Sequence, residues 1–438
     1  MRITNFGLAA TMLVSAVLLG GGNANFPVQR MLVELVSVAV LATLAWRGWR
    51  GPTDRWTVAL MLFVGALFLV GIAQIIPLPA SLWRTLPSRA LPAEIADAIG
   101  AGKNAMPLSL TPDATIRALL FLLPASATLV ATLACDRRER RRLLNWTVVL
   151  ALFSAFLGMF QVASGPSGPY LYAVANQDPA VGVFSNHNHQ ADLLLIAMLL
   201  AATMSISQRV SNITQRLIIS GVLVFLTITV IATMSRAGVV LMLPTLAISI
   251  ALLLPKAILR DRRAWAAGAA GVIILAGLAA LLSHNAMVIR TLDRFDTDTD
   301  PRFMFWPSVV QAAKDYFPMG SGLGSFVPVF KAVEPLEIVN RAYVVHAHND
   351  YLELLIETGV TGLALIVLFA VLLATGLIRA LRDPALRDRR RQITATASAI
   401  GILLIHSFGD YPLRTIALTS IFAMLMATLA ATPAARRR

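Results

Sequence analysis

The sequence predicts an all-α integral membrane protein with about twelve transmembrane helices. Of its 438 residues, 57% are hydrophobic and only 14% are charged, and the mean hydropathy is +0.72. A typical soluble domain has about 25% charged residues. Apolar runs close to the roughly 20 residues that cross a bilayer recur along the chain. We predict spans at 4–22, 31–46, 56–76, 115–134, 143–163, 190–206, 216–234, 238–254, 264–283, 360–378, 393–409 and 414–431.

The basic residues orient this predicted bundle. With both termini in the cytoplasm, the inner segments hold 24 of the 37 lysines and arginines and only six acidic residues, which is the positive-inside pattern. Arginines spread over juxtamembrane loops attract anionic membrane lipids, so the net charge of +14 does not indicate nucleic-acid binding. We therefore predict a single integral membrane domain over residues 1–438, with a large loop at 284–359 on the outer face that carries most of the candidate functional residues.

The stretch HAHNDYLELLIETGVTG, which begins at His346, joins that loop to the tenth span. Asp350 and Glu353 have the spacing of a capping box, so we predict a short helix that starts near Asp350 and stops at Gly359. His348 then lies just before a helix N-terminus, where free N–H groups and the helix dipole favour a bound anion such as a phosphate. A neutral imidazole there could take a proton from a hydroxyl group. The alternative is a histidine that only hydrogen-bonds a neighbouring loop.

Two further outer segments contain candidate residues. Arg236 lies in the tight turn MSRAG between the seventh and eighth spans, where an arginine is costly unless it is paired. It is either a fixed cation at the mouth of an outward cavity or a side chain that reaches the lipid headgroups. Asn186 belongs to the polar run FSNHNHQADLL at the entrance to the sixth span, as a helix cap or as a site residue. His187 and His189 in that run do not have the spacing of a standard metal site.

The large loop adds three more arginines. Arg290 and Arg294 are four residues apart on a possible helix face, and Arg302 precedes an amphipathic helix predicted at 303–316. The following PMGSGLGSF sequence has three alternating glycines that permit a close backbone approach, but it lacks the lysine of a nucleotide-binding loop. Cations, a histidine and helix N–H groups on one face indicate an anionic, phosphorylated substrate.

In this order along the chain, these elements resemble the superfamily of O-antigen ligases and O-antigen polymerases. The resemblance covers residues 184–412 best. The HSFGDYPLR segment around Asp410 also resembles a sequence of exopolysaccharide members of the superfamily. The elements that carry the resemblance are Phe184, Asn186, Asn188 and Ala191, the SRAG turn, Arg302 with Trp306, the PxGxGxG loop, and His348 followed by Gly359.

The resemblance implies glycosyl transfer from a polyprenyl-pyrophosphate-linked donor at the periplasmic face of a bacterial inner membrane, without a cofactor or a metal. Arg236 and Arg302 match the two essential arginines of the superfamily, and His348 matches its proposed general base. The acceptor hydroxyl would attack the anomeric carbon with inversion while the arginines stabilise the departing pyrophosphate. Asn349 and Glu357 would orient the histidine or the acceptor sugar.

Several alternatives stay open at this stage. His346 precedes His348 by two residues and could share or take its role. A transporter or flippase of lipid-linked glycans could also have twelve spans and outer-face cations, although no internal repeat typical of transporters is visible. A membrane scaffold would need neither Arg236 nor His348. Within the enzyme class, the acceptor could be a second lipid-linked glycan, lipid A core or a protein hydroxyl group.

Overall fold

A computed structural model describes residues 4–22, 26–48, 51–173, 178–204, 211–254, 301–339, 344–383 and 389–431 of the chain. In these ranges the only strands are two short segments, β1 (Pro77–Leu78) and β2 (Met106–Pro107), which pair in antiparallel fashion. The rest of the regular structure is helical, which confirms the predicted all-α class.

The helices follow the chain in an order close to the prediction. The first seven are α1 (Asn5–Leu19), α2 (Pro27–Trp46), α3 (Arg55–Ile75), α4 (Ala80–Trp83), α5 (Ala90–Ala98), α6 (Pro112–Leu133) and α7 (Arg137–Ser164). The next four are α8 (His187–Ala201), α9 (Asn212–Ala232), α10 (Arg236–Leu253) and α11 (Pro301–Asp315). The last four are α12 (Phe326–Val333), α13 (Asp350–Arg382), α14 (Arg390–His406) and α15 (Ile416–Leu429).

Within the described residues, seven helices are long and apolar enough to cross a membrane, namely α2, α3, α6, α7, α9, α10 and α13. Two shorter apolar helices, α1 and α15, add to these. Eleven of the twelve predicted spans coincide with a helix, and the predicted span at 264–283 lies outside the described residues. The chain is therefore a multi-pass membrane protein.

Helix α8 forms the centre of the bundle. Its residues from Asn188 to Ala201 are all buried, and it packs against α7, α9, α10 and α14. A helix that is apolar on every side and surrounded by other helices belongs in the interior of a bundle. The buried polar side chains of Asn188, His189 and Asp192 near its start bind Asp410, Thr415 and His406, respectively.

Helix α13 begins at Asp350, as predicted, but the predicted capping box with Asp350 as the cap was wrong. The N-cap is Asn349, whose side-chain oxygen accepts hydrogen bonds from the N–H groups of Tyr351 and Leu352. Glu353 does reach back, but to the N–H of Ala347 at 2.7 Å. The Asp350 side chain does not cap the helix, because its carboxylate accepts a hydrogen bond from the Ser407 hydroxyl at 2.8 Å.

Gly359 interrupts α13, as predicted, but the chain resumes as a helix directly afterwards. Its φ of +57° lies in the left-handed region, and a Cβ atom there would overlap the carbonyl oxygen of Pro318. Gly320, Gly322 and Gly324, the alternating glycines of the PMGSGLGSF loop, also have positive φ. The backbone at these three glycines lies close to Glu357, Ser109 and Ala114, respectively. The close approach that the glycines were predicted to permit is therefore to other segments of the protein.

Candidate active site

Several polar helix starts lie at one end of the bundle. Asn186 caps α8, Ser235 caps α10 and Asn349 caps α13. The first turns of α8 and α10 are in close contact, since a Cβ on Gly238 would lie 2.6 Å from the Cβ of Ala191. Because helix N-termini carry partial positive charge, this end of the bundle favours an anion.

His348 is paired with Asp410 at this end. Its Nδ1 lies 3.2 Å from Asp410 Oδ1, and the carboxylate is fully buried. The same carboxylate accepts a hydrogen bond from the Asn188 side-chain amide and lies 3.8 Å from a guanidinium nitrogen of Arg302. The histidine has a φ of +48°, a left-handed conformation that non-glycine residues rarely adopt. The packing around it thus fixes the imidazole in one orientation.

The surroundings keep Asp410 ionised. Burial alone raises the pKa of this carboxyl, but the hydrogen bond and electrostatic interaction with His348, together with the charge of Arg302, outweigh burial, so the pKa lies well below its ordinary value. A buried carboxylate beside an imidazole selects the ring tautomer and stabilises the protonated ring. Such a pair is suited to proton abstraction from a hydroxyl group.

Helix α11 holds the segment that carries both histidines. Arg302, Phe305 and Trp306 share one face at helical spacing, since they lie at positions i, i+3 and i+4. The Phe305 ring centroid is 6.1 Å from that of His348, and the Trp306 indole donates a 3.0 Å hydrogen bond to the carbonyl of Ala347. The predicted helix at 303–316 is confirmed, and it brings Arg302 to Asp410.

His346 belongs to a second histidine–carboxylate pair. Its Nδ1 lies 2.8 Å from Glu353 Oε1, and Glu353 also contacts Arg414 at 3.0 Å. Arg414 further binds Glu357 at 3.0 Å and lies 3.7 Å from Asp350. One guanidinium group therefore contacts three carboxyl groups on one face of the first turns of α13.

Tyr411 separates the two pairs. Its ring centroid is 4.2 Å from that of His346 and 4.9 Å from that of His348. Burial and the neighbouring Asp410 raise the pKa of Tyr411 well above its ordinary value, so the phenol stays protonated. The neutral tyrosine ring therefore lies between two histidines, each of which pairs with its own carboxylate.

A cavity of about 970 Å³ opens beside His346. Its polar wall includes His346, Tyr411 and Arg414, and its apolar wall includes Phe26 and Phe121 of the membrane helices α2 and α6. The cationic side chains of Arg30 and Arg117 also line it. The cavity therefore offers charged groups and an apolar surface to the same ligand, whereas the His348–Asp410 pair lies behind Tyr411.

The structure places the sequence-predicted residues as follows. Arg302 and His348 meet at Asp410. Arg236 is the first residue of α10, at the same end of the bundle. Two residues before it, Met234 has a left-handed φ of +54°. Arg290 and Arg294 lie outside the described residues.

The remaining predicted residues are largely occupied by protein partners. Asn186 lines the cavity and caps α8, with its amide 3.5 Å from the Tyr411 hydroxyl. The Asn349 amide donates to the carbonyl of Phe408 at 3.0 Å while its oxygen caps α13. Both carboxylate oxygens of Glu357 are engaged, one by the N–H of Gly324 and one by Arg414. Through these hydrogen bonds, Asn349 and Glu357 position the backbone segments around the site.

Sequence reasoning did not single out Asp410, Tyr411 and Arg414 as site residues. All three lie in the turn between α14 and α15, within the HSFGDYPLR segment that contributed to the resemblance. The available signal was a run of polar residues at an outer turn between two apolar spans. Among the described residues, no group of three or more histidine, cysteine, aspartate or glutamate side chains could hold a metal ion.

The fold and this site define a membrane-embedded protein with a histidine–aspartate pair and fixed cations at one end of a helical bundle. The O-antigen ligase family model matches residues 221–367, which confirms the resemblance to the O-antigen ligase and polymerase superfamily. This stretch contains Arg236, Arg302, His346 and His348 and ends before Asp410. The family indicates a glycosyltransferase-like enzyme that acts in polysaccharide ligation or polymerisation at the membrane, on lipid-linked glycans. A comparison with curated proteins gives no match.

Proposed function

We propose that the protein transfers a glycan from a polyprenyl-pyrophosphate-linked donor to an acceptor hydroxyl at the periplasmic face of a bacterial inner membrane, with inversion at the anomeric carbon. The observation that carries this proposal is the contact of His348 and Arg302 with opposite oxygens of the buried Asp410 carboxylate. This arrangement holds a base and a cation side by side, as the displacement of a pyrophosphate requires.

In the proposed step, the acceptor oxygen attacks the anomeric carbon as His348 takes its proton. The bond from that carbon to the pyrophosphate oxygen breaks, and the electron pair leaves with the polyprenyl pyrophosphate. Arg302, Arg236 and the start of α10 would stabilise the departing charge. Asp410 would stabilise the imidazolium that forms, since its low pKa keeps it ionised.

The cavity supports a lipid-linked substrate because its two walls match the two parts of such a molecule. Arg414, Arg30 and Arg117 lie on its polar side and Phe26 and Phe121 on its apolar side. The glycan would contact the former and the first isoprene units the latter, and the pyrophosphate between them would reach Arg302 and Arg236. Since His346 lines this cavity and His348 does not, His346 is the competing candidate for the base.

Histidine variants assayed side by side decide between these candidates. The protein in nanodiscs is given a purified polyprenyl-pyrophosphate-linked glycan, and transfer and donor binding are measured separately. We expect His348→Gln to lower the transfer rate about 10²–10⁴-fold with donor binding retained, and His346→Gln to lower it less. Full activity of His348→Gln together with an inactive His346→Gln would move the base to His346. Full activity of both variants would refute a histidine base.

Two additions to this assay test the rest of the proposal. A strong chelator should leave the wild-type rate unchanged, and a loss that a divalent ion restores would refute the metal-free step. Offering a second lipid-linked glycan, lipid A core and a protein acceptor in separate reactions distinguishes polymerase, ligase and protein glycosyltransferase. Movement of the lipid-linked glycan across the bilayer without transfer to any acceptor would favour a flippase instead.

A further inference from the structure

A second cavity, of about 460 Å³, lies at the end of the bundle opposite the histidine pairs. Helix α14 connects the two ends, because Arg391 in its first turn lines this cavity while its last residue, His406, directly precedes the turn that carries Asp410. At 1.5 Å per residue the two positions are about 22 Å apart. By the positive-inside rule this end faces the cytoplasm.

Six arginines line the cavity together with neutral polar side chains. They come from three separate parts of the chain, which only the packing of α7, α9 and α14 brings together. The neutral polar residues are Thr203, Asn212, Gln215 and Gln392, and the arginines are Arg137, Arg138, Arg141, Arg216, Arg389 and Arg391.

No carboxylate from the described part of the chain pairs with the positive charge of this cavity. Among the residues that the structure describes, none of the six guanidinium groups has a carboxylate within 4.0 Å. The acids at the start of α7, Asp136 and Glu139, bind each other's backbone N–H groups in a capping box. Burial and the nearby charges of Arg137 and Arg141 lower the pKa of Arg389, which reflects mutual repulsion.

Helix N-termini add to this charge. Arg137 is the first residue of α7 and Asn212 the first of α9, and both line the cavity. The N-cap of α14, Arg389, makes no side-chain capping hydrogen bond. The positive ends of three helix dipoles therefore lie at this cavity, with α7 and α9 capped by Asp136 and Ser211 and α14 without a side-chain cap.

We propose that this cavity binds a multiply charged phosphate group at the cytoplasmic face. Topology alone requires only positive charge somewhere in these segments, and arginines outside the cavity such as Arg47 and Arg382 supply it. The convergence of six guanidinium groups in one cavity costs repulsion, which a bound phosphate offsets through paired hydrogen bonds. The phosphate could belong to an anionic lipid headgroup or to a soluble phosphorylated molecule, and the experiment distinguishes the two.

The binding experiment uses the full-length protein purified in a neutral detergent. Cardiolipin, phosphatidylglycerol, phosphatidylcholine and inorganic pyrophosphate are titrated separately, and binding is followed by native mass spectrometry and thermal unfolding. The site variant carries Arg137→Gln, Arg141→Gln and Arg389→Gln. The control variant carries Arg47→Gln, Arg55→Gln and Arg382→Gln, which removes the same charge from exposed positions at the same end.

We expect an anionic probe to bind and stabilise the wild type and the control variant, and to bind the site variant about tenfold more weakly or worse. Binding of the anionic lipids without pyrophosphate identifies a headgroup site, and binding of pyrophosphate as well identifies a site for soluble phosphates. Equal binding to the site and control variants, or no preference of the wild type for any anionic probe over phosphatidylcholine, would refute the proposal.

Chemical protection in the wild type gives a second measurement that does not depend on how the variants fold. Phenylglyoxal modifies accessible arginines, and mass spectrometry locates the modified residues. The bound probe should protect Arg137, Arg141 and Arg389 and leave Arg47 and Arg382 reactive. Equal protection of all five arginines would indicate non-specific ion binding and would refute the site.

Discussion

His348 Nδ1 lies 3.2 Å from Asp410 Oδ1 across a sequence separation of 62 residues. His348 directly precedes Asn349, the N-cap of α13, and Asp410 lies in the turn that follows α14. The two segments are held in register by the hydrogen bond from the Asn349 amide to the carbonyl of Phe408 at 3.0 Å. The orientation of the proposed base therefore depends on a turn that lies far away in the sequence.

Asp410→Asn should lower the transfer rate by about 10²-fold or more, because a neutral amide neither stabilises the imidazolium nor enforces its tautomer. Asp97→Asn, which breaks only the exposed pair with Arg84, serves as the control and should behave as wild type. An Asp410→Asn transfer rate that matches the wild type would refute the pairing.

Asp410 itself should not limit activity at acid pH. Its folded-state pKa lies well below the ordinary 3.8, so the stability that it contributes is present above pH 3.8 and is lost only as the pH falls through the lower folded value. Thermal unfolding of the wild type and of Asp410→Asn, measured between pH 8 and pH 3, checks this. The difference between their melting temperatures should not decrease from neutral pH to about pH 5. A difference that disappears near pH 6 would contradict it.

Arg302→Lys should lower the transfer rate although it keeps the positive charge. An ammonium group cannot contact a phosphate with two parallel hydrogen bonds, and its shorter reach weakens the contact with Asp410. Arg236→Ala should weaken donor binding as well as turnover, because it removes a cation at the start of α10. Rates and donor affinities in nanodiscs measure both effects. Wild-type values for both variants would exclude these arginines from leaving-group stabilisation.

Arg414→Met should destabilise the protein by about 3–5 kcal/mol, because it leaves buried carboxylates without a counter-charge. Glu353 and Glu357 have side chains that are 1% and 0% exposed, and each contacts Arg414 at 3.0 Å. Thermal unfolding in detergent measures the loss. Arg84→Met, which breaks only a surface pair, should leave the melting temperature close to the wild-type value. Equal melting temperatures for both variants would contradict a structural role for Arg414.

Gly359→Ala should lower the melting temperature through its backbone. The left-handed φ of +57° costs about 1–2 kcal/mol for a residue with a Cβ atom, and the methyl group would overlap the carbonyl oxygen of Pro318. Gly401→Ala is the matched control, because a Cβ atom there meets nothing within 4 Å and alanine favours a helix. A Gly359→Ala variant as stable as Gly401→Ala would show that the break in α13 is not required.

The sequence alone determined the fold class and most helix positions. Apolar runs of membrane-spanning length are a local property, so eleven of the twelve predicted spans coincide with helices. The amphipathic helix that follows Arg302 and the break at Gly359 could be predicted for the same reason, since periodicity and glycine act within a few residues. His348 and the two arginines Arg236 and Arg302 were identified by motif order.

Only the tertiary structure decided the partners of these residues. Asp410 pairs with His348 and Arg414 with three carboxylates of α13 because α14 folds back along α13, and local patterns carry no information about such contacts. The cap of α13 shifted to Asn349 because the distant Ser407 hydroxyl binds Asp350. The cavity wall holds His346 and not His348 because Tyr411 lies between the two rings. Burial makes each pairing obligatory, since an unpaired charge in the interior costs several kcal/mol, but which charges meet is set by helix packing.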